Sequence, residues 1–249
     1  MNRIAVGVVL LALFAWSTRS FADVDKPGNY KTWPKPGARL SVRYTVEKSL
    51  TADPGLIAAL RRAINEWTTL LGFVDFVDVT GQKPLPKDYI SFEPGADCKA
   101  TRGFLGGAHV IYLRGCNREW AAMAHEIGHT LGLPHEHQRP SRDGFVTINR
   151  LALNDLGKTQ VLELIELSSL RKKRHDLLSV MHYALEQRGL TKNGEVVMFL
   201  DDEGKRFLKA RKKSEDDIRT AINEPTACDV VALKHLYGMP TQDGECFQP

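Results

Sequence analysis

An α+β domain is the fold class that the sequence predicts, because strand-like and helix-like segments alternate through its first half in the order strand, helix, strands, helix. The first segment, 39–46, alternates apolar and polar residues, as a half-buried strand does. The next, 54–71, places apolar residues three and four apart, as a helix lying on a sheet does. Asp53 suits the N-cap of this helix, and Gly72 suits the position just past its end.

Shorter strands and further helices follow. Strand-like runs separated by glycine and proline occupy 73–79, 88–93 and 108–113, and 118–131 has the pattern of a helix. Beyond 140 the periodicity weakens, so 146–180 is predicted to be helical only in its middle, and a final helix is expected at 227–238. No linker is long enough to separate two independent domains.

The first 22 residues predict a secretory signal peptide. Arg3 precedes an unbroken apolar run at 4–16, and 20–22 is a small-x-small cleavage site. The alternative is a membrane anchor or a buried helix, but the run is too short for a bilayer span, and no other stretch approaches the required length. We therefore expect a mature domain at 23–249 that is secreted, either outside the cell or into a periplasm.

Composition and charge are those of an ordinary globular protein, with 43% hydrophobic and 26% charged residues among 249. Removing 1–22, which carries two arginines and no acid, reduces the net charge from +4 to +2. This charge is too small to indicate nucleic-acid binding. The basic runs 171–175 and 205–213 lie close to acidic residues and are expected to be solvated helix faces, with a polyanion contact as the alternative. The mature protein is expected to be a monomer.

The sequence contains four cysteines, which an oxidising compartment would pair into two disulfides. Three pairings are possible, and the local one, Cys98–Cys116 with Cys228–Cys246, closes the shortest loops and is favoured. A zinc site made of all four cysteines is the alternative, but the usual CxxC spacing is absent.

Half of the eight histidines lie within residues 125–137. His125 and His129 share one face of a helix, and Glu126 lies beside them, in the H-E-x-x-H pattern of zinc proteases: two metal ligands and a general base. A third ligand requires the helix to break. Gly132 permits that break, so His135 can return to the metal.

The other histidines have no place in this pattern. His137 lies two residues beyond the third ligand and is expected to be exposed or structural. His109, His175 and His235 stand alone and are expected to have no role in the site.

The histidine segment and the residues that follow it resemble the astacin family of metzincin zinc peptidases. "HEIGHTLGLPH" at 125–135 is similar to the metzincin zinc motif, "HEHQRPSRDGFVTIN" at 135–149 to the astacin extension of it, and "SVMHY" at 179–183 to the family's Met-turn. Cys98 and Cys116 also stand where a family disulfide does. The resemblance covers most of 33–238 and is weak outside 98–149 and 179–183.

The resemblance implies a metzincin-like catalytic domain that binds one zinc ion per chain. Such a domain has a twisted mixed sheet with two long helices in an N-terminal subdomain (to about 132). A mostly irregular or helical C-terminal subdomain begins at about 133, and the active-site cleft lies between the two.

The resemblance also implies residue roles. The zinc ligands would be His125, His129 and His135, and the general base would be Glu126. Met181 would form an apolar floor under the metal. Tyr183 would bind zinc at rest and swing away to hydrogen-bond the transition state, and Glu136 would be structural, near the mature N-terminus.

The chain departs from the family in two ways. No cysteine follows the first helix, so the long-range disulfide usual there is missing and Cys228–Cys246 would substitute for it. About ten residues separate Ala22 from Trp33, where the resemblance begins, so a very short inhibitory pro-segment or none is expected.

Three hypotheses on function follow. The first is a secreted zinc endopeptidase that acts on proteins or peptides. The second is a zinc hydrolase that acts on another bond, such as one in a cell-wall peptide or an ester. The third is a non-catalytic secreted module with a structural zinc, which would need a fourth protein ligand such as His137 or His182.

Overall fold

The computed structural model describes residues 31–187, 189–220 and 222–247. The predicted signal peptide and residues 23–30, which would carry most of any short pro-segment, lie outside these residues. In the part of the chain that is described, no helix has the length and apolar character needed to cross a bilayer.

A five-stranded sheet forms the N-terminal half. Its strands are β1 (Leu40–Val46), β2 (Val74–Asp78), β3 (Tyr89–Glu93), β4 (Lys99–Ala100) and β5 (Ala108–Tyr112). Their order across the sheet is β2-β1-β3-β5-β4, and all pairs are parallel except the antiparallel edge pair of β4 and β5. The mixed sheet is confirmed, although β4 was not predicted.

Two long helices pack together on this sheet: α1 (Pro54–Leu71) and α2 (Trp120–Leu131). Asp53 caps α1 through its carboxylate and Gly72 ends the helix with φ 67°, as the sequence predicts. The Trp67 indole of α1 is buried and donates to the Ala124 carbonyl of α2 at 2.8 Å. This contact fixes the helix that carries the first two histidines against the core.

The C-terminal half is mostly irregular and has its own apolar core. Its elements are β6 (Val146–Ile148), α3 (Asp155–Gly157), a π-helical turn (Lys158–Leu162), β7 (Met198–Leu200), α4 (Asp202–Ala210), α5 (Asp216–Arg219) and α6 (Ala227–Leu236). Strands β6 and β7 pair antiparallel. Single 3-10 turns occur at Lys48–Ala52, Arg114–Cys116, Glu136–Gln138, Pro140–Arg142, Ser168–Leu170 and Gly244–Cys246.

One of the two basic runs differs from its prediction. The run 205–213 begins in α4, and its charges are exposed and largely paired with nearby acids, so the prediction of a solvated helix face is confirmed there. The run 171–175 is not helical, and Lys173 and His175 are buried within it. The prediction was wrong because the acid that pairs with Lys173 is distant in sequence.

Both local disulfides, Cys98–Cys116 and Cys228–Cys246, are present, so the four-cysteine zinc site is wrong. Cys228–Cys246 joins α6 to the last described residues, and the ring of Phe247 stacks on His235 of α6 at 4.1 Å. This bond therefore holds the last described residues against α6.

Replacing Cys228 and Cys246 with serine should lower the free energy of unfolding by about 3 kcal/mol, because the loop between them no longer restricts the unfolded chain. Equilibrium unfolding in guanidinium would measure the loss, with Cys98–Cys116 intact in both proteins. An unchanged midpoint and slope would contradict this expectation.

Candidate metal centre

The bend after α2 brings three histidines together. His125 and His129 lie one turn apart with ring centroids 4.6 Å apart. The helix ends at Gly132, whose φ of 111° is readily available to glycine. The chain then returns, so the ring of His135 lies 4.5 Å from His129 and 5.2 Å from His125. One ligand atom from each lies within 4.8 Å of the others, and all three residues are buried.

Hydrogen bonds orient each of the three rings. In the order of the chain, the Nδ1 atoms donate to Val180 O at 2.7 Å, Leu133 O at 2.8 Å and Gln138 Oε1 at 2.8 Å. A backbone carbonyl can only accept, so Val180 O and Leu133 O place the ring hydrogens of His125 and His129 on Nδ1 and leave their Nε2 lone pairs for a metal. At His135 the Gln138 oxygen favours the same tautomer, although the donor Arg102 Nη2 also lies 3.1 Å from that Nδ1.

The donor set fits zinc. His129 Nε2 and His135 Nε2 lie 3.0 Å apart with their lone pairs opposed, an arrangement that a cation between them stabilises. Nitrogens on a tetrahedral zinc ion are about 3.3 Å apart. Among the described residues, this trio is the sole group of three or more His, Cys, Asp or Glu side chains that could hold a metal ion. Three protein ligands are the usual number at a catalytic zinc, which keeps its fourth position open.

Burial keeps these imidazoles neutral, as metal ligands must be. Burial lowers the pKa of His125 to about 4 and brings the pKa values of His129 and His135 well below the usual range. The guanidinium of Arg102, whose Nη2 lies 3.1 Å from His135 Nδ1, lowers them further. Protonation therefore does not compete with metal binding near neutral pH.

Glu126 is buried beside the histidines and lines the same cleft. Burial raises the pKa of Glu126 to about 8, and the Arg102 charge and the Ala100 backbone N–H oppose that shift. A bound dication would lower the pKa further. The pKa of Glu126 is thus in a range that lets its carboxyl group take up and release a proton near neutral pH.

Met181 is buried against α2, the helix that carries His125 and His129. A Cβ atom at Gly128 would lie 2.7 Å from the Met181 sulfur, so the glycine within α2 permits this close approach. The backbone N–H of Glu136 donates to Met181 O at 2.8 Å. The 179–183 turn therefore contacts both α2 and the segment that carries His135.

Tyr183 lies at the edge of the histidine cluster. Its ring centroid is 4.4 Å from that of His135 and 6.1 Å from that of His125. Its hydroxyl donates to Gln160 Oε1 at 3.4 Å. The structure thus brings Tyr183 to the cleft, together with the three histidines and Glu126.

His137 is fully buried, so the exposed alternative is wrong and the structural one holds. Its Nδ1 accepts from the Tyr183 backbone N–H at 3.2 Å, and its Nε2 donates to Gln160 O at 3.1 Å. His182 is engaged through Nδ1 with Tyr183 O. Neither residue joins the metal cluster, so neither completes a four-ligand cage within the described residues.

Glu136 lies in a buried ionic cluster. Lys173 Nζ and Arg139 Nη1 contact Glu136 Oε1 at 2.9 and 2.8 Å, and the Asp176 N–H donates to the same oxygen. Burial alone would raise the pKa of Glu136, but the charges of Lys173 and Arg139 lower it to about 2. The predicted proximity of the mature N-terminus concerns residues outside the described part of the chain.

The three isolated histidines lie outside the metal cluster. His109 is buried, with its ring centroid 4.6 Å from Trp33. His175 is buried beside Glu136, and His235 Nε2 contacts Asp243 at 2.7 Å.

Three polar residues of the site were missed in the sequence: Arg102, Gln138 and Gln160. Gln138 follows His135 by three residues, so a search for partners of the third ligand could have found it. Arg102 and Gln160 reach the site from other segments, and no local pattern marks them.

The cluster lines a cleft of about 930 Å³. Its lining includes Lys99 and Ala100 of the edge strand, and also Leu156, Gln160 and Glu186. The cleft therefore lies between residues of the N-terminal and C-terminal halves, as the sequence predicts.

Comparison with known proteins gives a consistent result. The family model described as Astacin (Peptidase family M12A) matches residues 26–224. Zinc metalloproteinase nas-36 of Caenorhabditis elegans is 28% identical over 243 residues, which cover 93% of this chain and 36% of that protein. Tolloid-like protein 1 of Mus musculus is 34% identical over 201 residues, covering 77% of this chain and 18% of that protein.

The chain thus spans about a third of nas-36 and less than a fifth of tolloid-like protein 1. Among solved structures, high choriolytic enzyme 1, a hatching enzyme zinc-protease from Oryzias latipes, superposes with a TM-score of 0.66 at 19% identity, covering 85% of this chain and 94% of that one. This likeness supports the fold. Since the family model matches well over half of the sequence, the chain belongs to the astacin family of peptidases.

Proposed function

We propose that the protein is a secreted zinc endopeptidase that hydrolyses peptide bonds in proteins. The observation that carries this proposal is the convergence of His125, His129 and His135 beside the buried carboxyl of Glu126, in the lining of an open cleft. Family membership and the zinc metalloproteinase names of relatives support it.

One zinc ion per chain would be held by the three Nε2 atoms. Zinc supplies a Lewis-acid charge that makes water nucleophilic at neutral pH and polarises a carbonyl group. The bonds from the three Nδ1 atoms to Val180 O, Leu133 O and Gln138 Oε1 hold the rings in place for it.

Glu126 is the general base in this proposal. Its carboxylate takes a proton from the attacking water and returns it to the leaving nitrogen, so that the peptide bond breaks with a neutral amine as product. The Ala100 N–H and the Arg102 charge stabilise the carboxylate form that the first step requires.

Tyr183 stabilises the transition state in this proposal. Its ring lies in the cleft beside the His135 ring, and from this position the hydroxyl can donate to the oxyanion of the tetrahedral intermediate. Met181 provides the apolar floor and holds the turn that presents Val180 O to His125.

The cleft and the disulfides support the remaining parts of the proposal. The cleft is open and bordered by edge strand β4, which suits an extended segment of a protein substrate. The paired cysteines, none of them free among the described residues, suit an oxidising compartment after removal of a signal peptide. We infer a monomer without nucleic-acid partners.

The structural-zinc alternative is less favoured because a closed site needs a fourth protein ligand, and His137 and His182 are engaged elsewhere. A zinc hydrolase acting on an ester or a cell-wall peptide would use the same centre, so substrate trials separate it from an endopeptidase.

The test is incubation of the purified, zinc-loaded protein with a mixed peptide library, with and without a chelator. We expect internal cleavage that stops with the chelator and returns with zinc. Cleavage of ester or cell-wall substrates but of no library peptide would favour the second hypothesis. Tight zinc binding without hydrolysis of any of these would favour the third.

A further inference from the structure

We propose that Gln160 is a positioning residue for Tyr183, whose hydroxyl it holds by a hydrogen bond within the cleft lining. This inference rests on the role of Tyr183 in the proposed function. Three observations lead to it: the hydroxyl contact, a backbone link through His137 and the irregular turn that carries Gln160.

The first observation is the position of the phenol. Tyr183 donates its hydroxyl to Gln160 Oε1 at 3.4 Å, while its ring stacks on His137 at 4.1 Å and an interplanar angle of 28°. Stacking fixes the plane of the ring, and the amide oxygen lies where the hydroxyl then points. A side-chain amide carries no charge and does not titrate, so this acceptor is available at every working pH.

The second observation is that the same two residues are joined through one imidazole. The Tyr183 backbone N–H donates to His137 Nδ1 at 3.2 Å, and His137 Nε2 donates to the Gln160 carbonyl at 3.1 Å. The backbone carbonyl of Gln160 is thus linked to Tyr183 through His137, and the side-chain amide of Gln160 contacts the Tyr183 hydroxyl directly. This closed set of contacts sets the distance between the amide oxygen and the phenol.

The third observation concerns the π-helical turn Lys158–Leu162, which contains Gln160. Such turns interrupt regular helices and are frequent at functional sites. Arg142 stabilises the turn that contains Gln160. Its Nη1 donates to the carbonyl of Val161 and, at 2.7 Å, to the carbonyl of His137. Ile165 N–H also donates to Gln138 O at 2.8 Å. The segment bearing Gln160 is therefore held to the segment that follows the third histidine.

These contacts give the Tyr183 hydroxyl a defined alternative to the metal. Without the amide acceptor, the phenol should spend more time at the metal centre and less time where it can assist hydrolysis. Gln160→Leu keeps the volume but removes the acceptor. One hydrogen bond to a neutral acceptor corresponds to about a three- to tenfold change in an equilibrium or a rate.

The experiment compares wild type, Gln160→Leu, Tyr183→Phe and the double variant. Gln82→Leu, at an exposed site outside the cleft, is the control. Each protein is loaded with zinc for kcat and KM, and separately with Cu²⁺, which imidazole ligands also bind. Tyrosinate on Cu²⁺ produces a visible charge-transfer band, so the copper protein reports the position of the phenol without any assay of hydrolysis. Thermal unfolding checks that each variant is folded.

We expect Gln160→Leu to strengthen the copper band and to lower kcat by about three- to tenfold. We expect neither change in the Tyr183→Phe background, where the band is absent. An equal loss of kcat in both backgrounds, or an unchanged band in Gln160→Leu, would overturn the proposal. If wild type cleaves no substrate, the proposed function fails, but a stronger copper band in Gln160→Leu would still support the positioning of Tyr183.

Discussion

Replacing Glu126 with glutamine should reduce kcat by about 10²- to 10⁴-fold while the zinc site stays intact. Glutamine keeps the length and shape of the side chain but cannot accept the proton of water. Burial raises the pKa of this carboxyl to about 8 even though the Arg102 charge opposes the shift, so the folded protein tolerates a neutral group of the same shape at this position. The variant should therefore fold and bind metal as wild type does.

Zinc stoichiometry, thermal unfolding with and without a chelator, and cleavage of one peptide would be measured on the same preparation. Glu163→Gln, at an exposed position, is the matched control and should retain wild-type activity. Activity within threefold of wild type in Glu126→Gln would refute the general-base role. Loss of zinc together with activity would show instead that Glu126 maintains the metal centre.

The first half of the fold and the convergence of the three histidines could be predicted because local chemistry specifies them. The Asp53 cap and Gly72 mark both ends of α1 in the sequence, and both act as predicted. His125 and His129 lie one helical turn apart in any α-helix, and Gly132 accepts the positive φ that returns His135. None of these features needs a partner that is distant along the chain.

The rest depends on distant partners or on elements too short to show a period. Strand β4 has two residues and is defined only by its pairing with β5. The C-terminal half consists of turns and short helices whose apolar residues meet only in three dimensions. Arg102 and Gln160 reach the metal site from separate segments, so their sequence neighbours do not distinguish them from surface residues.

Lys173 also depends on a distant partner, because it pairs with Glu136 and not with an acid nearby in the sequence. Replacing it is expected to have the largest effect on stability. Lys173→Met should lower the free energy of unfolding at neutral pH by about 3–5 kcal/mol, because the Glu136 carboxylate would remain buried with one of its cations removed. Lys172→Met, the exposed neighbour, is the control and should change stability by less than about 0.5 kcal/mol. Urea unfolding of the metal-free proteins would measure both.

The loss should extend to the metal centre. Glu136 follows His135 directly, and its backbone N–H donates to Met181 O. A shift of Glu136 would therefore move both His135 and Met181. Arg139 remains as a partner and also donates to the carbonyls of Leu170 and Lys173. We therefore expect Lys173→Met to fold but to release zinc to a chelator faster than Lys172→Met does.

Acid provides an independent check. The pKa of Glu136 is lowered to about 2 in the folded protein, so its stabilising contribution is complete above the unfolded value near 4.5 and is lost as pH falls toward 2. The stability difference between wild type and Lys173→Met should therefore narrow over that range. Glu136→Gln combined with Lys173→Met removes both charges, while Arg139 keeps its carbonyl partners, and should be less destabilised than Lys173→Met alone. A double variant with fully additive losses would show that packing around Lys173, and not its charge, stabilises the segment behind His135.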